Sequence, residues 1–267
     1  MSASAAARKQ STIDDAEVAK FAAAADEWWD PRGVARWLHR YNPVRVGYIR
    51  DMAARQFGRD RGDPACLRGL RLLDIGSGAG LLCEPLAELG ATVVGADPAS
   101  DSIETARLHA RQSGLEIEYR CETAESLAEA GERFDVVIAL EVVEHVADAS
   151  LFLQECARLV APGGLAVVST INRTWKSFAQ AIVAAEYVFR MLPRGAHRWD
   201  RFLTPNEIQM ELERNGLEVV DVSGIKMNLL SWTLALSGNP DVNFIMTARR
   251  PRAPGPELAT SGERAER

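Results

Sequence analysis

An aspartate followed by three glycines at alternate positions, Asp74-Ile75-Gly76-Ser77-Gly78-Ala79-Gly80, is the stretch of this 267-residue chain best suited to hold a ligand. Leu72-Leu73 before it reads as a buried strand and Leu81-Leu82 after it as the start of a helix, so the glycines form the turn between them. Glycine adopts dihedrals that a side chain forbids and lets a ligand come close to the amides at a helix N-terminus. Alone, such a turn serves equally well as a plain strand-to-helix connector. Asp97 tips the balance. It closes a second apolar strand, Val93-Val94-Gly95-Ala96, about twenty residues on, where a doubly wound sheet sets a carboxylate beside the turn to accept hydrogen bonds from both ribose hydroxyls. An adenosine-bearing ligand is therefore expected. Leu81 stands where a pyrophosphate-binding pattern needs its third glycine, which puts NAD well behind.

The elements that must position these residues follow from the alternation of apolar runs with helical patterns after a charged linker at 59–68. Strands are expected at 70–75, 92–97, 116–121, 134–140, 165–171, 217–222 and 243–249, with helices between them, in an α/β, doubly wound, mostly parallel seven-stranded sheet covered on both faces. Leu81, Leu82, Leu86 and Leu89 mark the helix after the glycines, which Gly90 stops. Residues 13–66 read as an N-terminal helical cap: one helix from Ile13 toward Trp28-Trp29-Asp30-Pro31, and a second opened by Asn42 as N-cap and Pro43 as first helical residue, running to about Phe57. Arg45 would then lie in a first turn, where a cation opposes the helix dipole; it is either solvated or set to meet a ligand carboxylate.

One domain over 13–250 is expected, with disordered ends at 1–12 and 251–267, the first lacking the apolar core of a secretory signal. A formal charge of −6 argues against a nucleic-acid partner. Cys66, Cys83, Cys121 and Cys156 have no paired spacing, so neither a zinc site nor a disulfide framework is suggested, and a reducing compartment fits best.

Asp74 to Gly80, Asp97, Phe134-Asp135-Val136-Val137 and Ala161-Pro162-Gly163-Gly164, in that order, resemble the class I S-adenosylmethionine-dependent methyltransferases over the core from Leu70 to Arg249. The resemblance implies a Rossmann-like seven-stranded sheet with a reversed last strand, Gly76, Gly78 and Gly80 at the methionine portion of the cofactor, Asp97 on its ribose and Leu140 beside it. Further segments narrow the match: Trp28-Trp29-Asp30, residues 38–45 around Asn42-Pro43, Glu141-Val142-Val143-Glu144-His145-Val146, Ser169-Thr170-Ile171-Asn172-Arg173, Ala185-Glu186-Tyr187 and Asp241-Val242-Asn243-Phe244. Together they resemble the ubiquinone-biosynthesis O-methyltransferase (UbiG) family from about Ile13 to Arg249. Ser77 replaces a usual cysteine and Leu140 a frequent methionine. In that family the arginine at the Arg45 position contacts the cofactor. The resemblance thus supplies the carboxylate that residue lacked.

The implied reaction moves a methyl group from a sulfonium to one hydroxyl of a polyprenylated quinol or catechol-type ring, so the protein must align two reactants and ease loss of a phenolic proton. If the segment after the fourth strand is helical, Glu141, Glu144 and His145 share one face at the ligand-binding edge of the sheet. His145, with Glu141, can serve as the base. Alternatively Glu141, Glu144 and His145 hold a divalent cation such as Mg2+ that chelates both ring oxygens, or only shape the pocket. Another small phenol as substrate, or a cofactor-binding module without catalysis, are the competing readings.

A helical insertion at 172–203 is longer than connections in compact domains usually are. Trp175, Phe178, Ile182, Val183, Val188, Phe189, Met191 and Leu192 give it an apolar face. Arg173, Lys176, Arg190, Arg194, Arg198 and Arg201 outnumber Glu186 and Asp200. It suits either a lid or an interfacial helix on anionic lipid, and is too polar to span a bilayer. The expected setting is cytoplasmic, peripheral to the inner membrane, with a ubiquinone-biosynthesis complex as a further partner.

Overall fold

The computed structural model describes residues 11–23, 25–33, 35–177, 199–228 and 233–252, with backbone alone at 26, 200 and 228. Eight strands form one sheet: β1 Arg71–Ile75, β2 Thr92–Ala96, β3 Glu118–Arg120, β4 Phe134–Leu140, β5 Val160–Ile171, β6 Glu218–Asn228, β7 Thr233–Ser237 and β8 Asn243–Arg249. Their order is β3-β2-β1-β4-β5-β8-β6-β7. Strands β1 to β5 run parallel, and β8 is inserted antiparallel between β5 and β6. The reversed last strand thus falls where the resemblance implied it. The helices are α1 Asp15–Ala22, α2 Arg36–Phe57, α3 Cys83–Glu88, α4 Ser100–Gln112, α5 Ala124–Glu129, α6 Ala149–Leu159, the short α7 Trp175–Ser177 and α8 Pro205–Arg214.

Strand β1 is buried on both faces except at Arg71, which is why it reads as a nearly continuous apolar run. Two buried clusters flank the sheet. One packs α5, α6 and α8 over Leu73, Val137 and Val168; the other packs α2, α3 and α4 over Leu72, Val136 and Val167. Each fully buried leucine contributes about 1.5–3 kcal/mol relative to exposure. Thr204 caps α8 as its sequence suggests: its hydroxyl accepts from the Glu207 amide while the Glu207 carboxylate accepts from the Thr204 amide, with Pro205 in the first turn.

Three elements depart from the sequence reading. The sheet has eight strands, not seven, because β6 continues into a hairpin with β7. No residue of β7 is buried, so the strand lacks the one-sided pattern that would mark it. Strand β5 begins at Val160, absorbing Pro162 and Gly163 through an irregular register against β4. Helix α2 starts at Arg36, and Asn42-Pro43 lies inside it. The proline costs one hydrogen bond, but the buried face made by Tyr48, Ile49, Ala53 and Ala54 carries the helix through. Arg45 is therefore not in a first turn, and the dipole argument about it falls. Residues 1–10 and 253–267, with the expectations of disorder there, lie outside the described residues.

Candidate active site

Chain order reverses at β1: β2 and β3 lie on one side of it, β4 and β5 on the other. The crevice at the carboxyl ends of β1 and β4 is where a ligand binds in such a sheet. The glycine turn opens into it from β1. Gly76 and Gly78 have φ of 73° and 51°, a region side chains avoid. A Cβ on Gly76 would come within 2.4 Å of Val142 Cγ2, just beyond β4, so the turn and the segment carrying Glu141 are in contact. Gly80 completes the turn with φ of 86°. Asp97, one residue past β2, reaches across: Oδ2 accepts from the Gly78 amide at 3.0 Å and Oδ1 from the Ala99 amide at 2.8 Å. Burial pushes its pKa up, and the two amides oppose that. Asp74 is pushed up to about 7 by burial, against a hydrogen bond from the Cys83 thiol.

Helix α2 delivers Arg45, buried, to the end of β4. Its Nη2 donates to Glu141 Oε1 at 2.9 Å, and the Ser169 hydroxyl from β5 donates to the same oxygen at 2.7 Å. The Glu141 amide in turn donates to the Ser169 carbonyl at 3.0 Å. Arg45 Nε is buried without a partner, and the guanidinium stands over the Tyr41 ring. The residue expected to meet a cofactor carboxylate thus holds a protein carboxylate and keeps one donor unused. That buried, unused donor beside the glycine cradle fits the carboxylate end of S-adenosylmethionine. Leu140 closes β4, half-buried, opposite Ser169.

Residues 141–148 do not form a helix. Glu141 is the one described residue other than glycine with positive φ, 56°, and this left-handed start turns the chain before a helical face can form. Glu141 and Glu144 consequently stay side by side, while His145 turns to another partner. Glu144 is buried, its carboxyl raised well above the usual range by burial and then by Glu141, and its Oε2 has no hydrogen-bond partner. His145 Nδ1 lies 2.8 Å from Glu17 Oε2 in α1. Among the described residues no three His, Cys, Asp or Glu side chains converge to hold a metal ion, so the trio as arranged is not a ready-made cation site.

The N-terminal cap closes the turn from outside. Trp29 Nε1 donates to the Ala79 carbonyl at 2.9 Å, Asn42 Nδ2 to the Leu81 carbonyl at 2.9 Å, and a Cβ on Gly78 would strike the Trp28 ring. His39 supports this layer through the Trp28 carbonyl. His109 pairs with Glu84 at 2.7 Å and stacks on Trp29.

In the insertion, residues 178–198, which carry most of the expected apolar face and Arg190, Arg194 and Arg198, lie outside the described residues. At its ends Arg173, Lys176 and Arg201 are paired with Glu207, Asp241 and Asp14. Trp175 is 80% exposed, and its ring lies 6.3 Å from that of Trp199. No helix among the described residues is long and apolar enough to cross a membrane.

A family model described as "Methyltransferase domain" matches residues 73–168, the stretch from the glycine turn to β5. Magnesium protoporphyrin IX methyltransferase from Synechocystis with bound SAM superposes with a TM-score of 0.52 at 20% identity, over 91% of this chain and 100% of its own. An S-adenosylmethionine-dependent methyltransferase from Clostridium acetobutylicum gives 0.56 at 11% identity, over 81% and 98%. These share the fold. Much nearer are two proteins named ubiquinone biosynthesis O-methyltransferase. That of Sinorhizobium medicae is 54% identical over 91% of this chain and 98% of its own length; that of Nitrobacter winogradskyi is 51% identical over 92% and 94%. At this identity over nearly the whole length, the chain belongs to the ubiquinone biosynthesis O-methyltransferase family, enzymes of the class I S-adenosylmethionine-dependent methyltransferase fold.

Proposed function

We propose that this chain transfers a methyl group from S-adenosylmethionine to a ring hydroxyl of polyprenylated catechol-type ubiquinone precursors, including the demethylated quinol. What carries the reading is the meeting of a cofactor cradle and a set of proton-handling groups at one sheet edge, with Gly76 in contact range of the Glu141 segment. When bound, S-adenosylmethionine supplies an activated methyl group on its sulfonium. Gly76, Gly78 and Gly80 receive its methionine end, Arg45 its carboxylate, Asp97 its ribose hydroxyls, and Leu140 packs beside it. Arg45 Nε would meet the cofactor carboxylate, and Glu141, held by Arg45 and Ser169, would accept a hydrogen bond from the substrate. His145 would take the proton that the phenol loses when it receives the methyl group. The cap over the turn excludes water and orients the reactants.

A second reading has its own observation. The buried Glu144 with an unpartnered Oε2, beside Glu141, is a carboxylate pair whose repulsion a divalent cation relieves. Those two residues, joined by His145 after it turns, would hold the ion. Stripping the enzyme with chelator and restoring Mg2+ separates the readings: rate restored only by the cation supports the ion, unchanged rate supports His145 alone.

For a substrate with a polyprenyl tail, the exposed Trp175 beside Trp199 favours a peripheral contact with an anionic bilayer, cytoplasmic side inward, with the intervening arginines meeting phosphates. The same face suits docking into an assembly of enzymes acting on that tail. Flotation with phosphatidylglycerol vesicles is expected for the wild type and should fall severalfold when Arg190, Arg194 and Arg198 become glutamate. No flotation of the wild type leaves the insertion as a lid.

A further inference from the structure

We propose that Glu17 is a positioning residue for His145, fixing the imidazole in the tautomer with hydrogen on Nδ1 and the lone pair on Nε2. The inference deepens, and rests on, the methyl-transfer reading above. Glu17 Oε2 lies 2.8 Å from His145 Nδ1, and the two side chains are only 21% and 19% exposed. A carboxylate only accepts hydrogen bonds, so Nδ1 must donate, and Nε2 becomes the nitrogen able to take a proton or bind a cation. Phe21, one helical turn beyond Glu17, meets the imidazole edge-on at 5.0 Å with an interplanar angle of 83°, and so sets the ring plane as well as its tautomer.

Both partners are anchored, so the contact is more than two side chains meeting by chance. Asp14 caps α1, accepting from the Ala16 and Glu17 amides, and also takes Arg201 at 2.8 Å. Ahead of it the Thr12 amide donates to Glu125 Oε1 at 2.6 Å, while the Thr12 carbonyl accepts from the Ala147 amide at 2.8 Å, two residues beyond His145. The strap leading into α1 is therefore bonded to the very turn that carries the histidine. Among the described residues, the charged groups nearest the pair in the chain are Lys20 on α1, 3.8 Å from the same Glu17 oxygen, and Glu141 and Glu144 on the turn itself. The arrangement matches a general requirement of catalytic and metal-binding histidines, which use a carboxylate on one ring nitrogen to define the work of the other. The ring as it stands serves proton acceptance at Nε2, whereas joining Glu141 and Glu144 around a cation would require it to leave Glu17.

The test uses the full chain with S-adenosylmethionine and a soluble catechol. Glu17→Gln keeps the size, but an amide donates as well as accepts and no longer dictates the tautomer. Its kcat should fall about tenfold or more while KM for S-adenosylmethionine stays within about twofold, with partial recovery in Glu17→Asp and none of the effect in the charge control Asp15→Asn. At a pH where the ring is neutral, the 15N shifts of His145 should report one tautomer in the wild type and a mixture in Glu17→Gln. Either wild-type kcat or unchanged 15N shifts in Glu17→Gln overturns the proposal. His145→Ala separates the two levels: if it keeps wild-type kcat, the role of His145 falls and this proposal with it. If it is inactive while Glu17→Gln is fully active, only Glu17 is removed. Should the wild type methylate no catechol, the 15N comparison still decides whether Glu17 sets the tautomer.

Discussion

Asp97 and Gly76 show what single residues do at this site. Asp97 accepts from two backbone amides and is raised by burial, so it is held in place in advance of the ribose proposed for it. Gly76 is required twice, by its positive φ and by Val142 beyond β4. Gly76→Ala should weaken S-adenosylmethionine binding at least about tenfold, or about 1.4 kcal/mol, by titration calorimetry; wild-type affinity would show that the cradle is not where the cofactor lies. Asp74 makes a pH prediction. Burial lifts it from an ordinary 3.8 to about 7, so between those values the folded chain holds a proton that the unfolded chain has released. Stability must then fall as pH rises through that window and level off above it. Asp97 and Glu144, also raised, act in the same direction. The melting temperature should drop less between pH 5 and 7, in about that range, for Asp74→Asn than for the wild type; equal slopes contradict the assignment. At this scale the glycines and Asp97 were legible because their chemistry is local. Glu17 was not, because its partner lies 128 residues away and an exposed-looking glutamate on a short helix carries no mark of it.

Helix α2 is the element on which the site hangs. It carries Arg45 to Glu141 and is locked to the reversed end of the sheet by Tyr48, whose hydroxyl donates to Asp221 Oδ2 at 2.7 Å and accepts from Thr247 Oγ1 at 2.9 Å. Tyr48→Phe leaves the fully buried Thr247 hydroxyl without its acceptor and should cost about 1–2 kcal/mol in urea unfolding, with a weaker hold on Arg45 read as a raised KM for S-adenosylmethionine. An unchanged midpoint would mean that α2 is anchored by its apolar face alone. The helix also shows where local reading fails. Asn-Pro has the chemistry of a helix start, yet packing of Tyr48, Ile49 and Ala53 continues the helix through it. Strands β1, β2, β4 and β8 were legible since burial on both faces imposes apolar runs, whereas β7 buries nothing and left no pattern. The segment after β4 failed for a third reason: i, i+3, i+4 spacing places side chains together only in a helix, and the left-handed Glu141 prevents one.

Across the whole molecule, the N-terminal cap, the crevice at β1 and β4, and the insertion after β5 divide the work. The sheet brings the glycine turn and the Glu141 segment together, the cap closes over the turn through Trp28, Trp29 and Asn42, and the tryptophans at the base of the insertion face outward. Membership of the family makes methyl transfer the activity to be explained, and the proposed account rests it on alignment of the reactants beside a held histidine. The most direct test incubates the purified chain with S-adenosylmethionine and a short-tailed demethylubiquinol, with and without Mg2+, and follows the quinol by mass spectrometry. The expected result is a product one methyl group heavier, formed with equimolar S-adenosylhomocysteine; quinol unchanged in both conditions, with S-adenosylmethionine bound but not consumed, would contradict it.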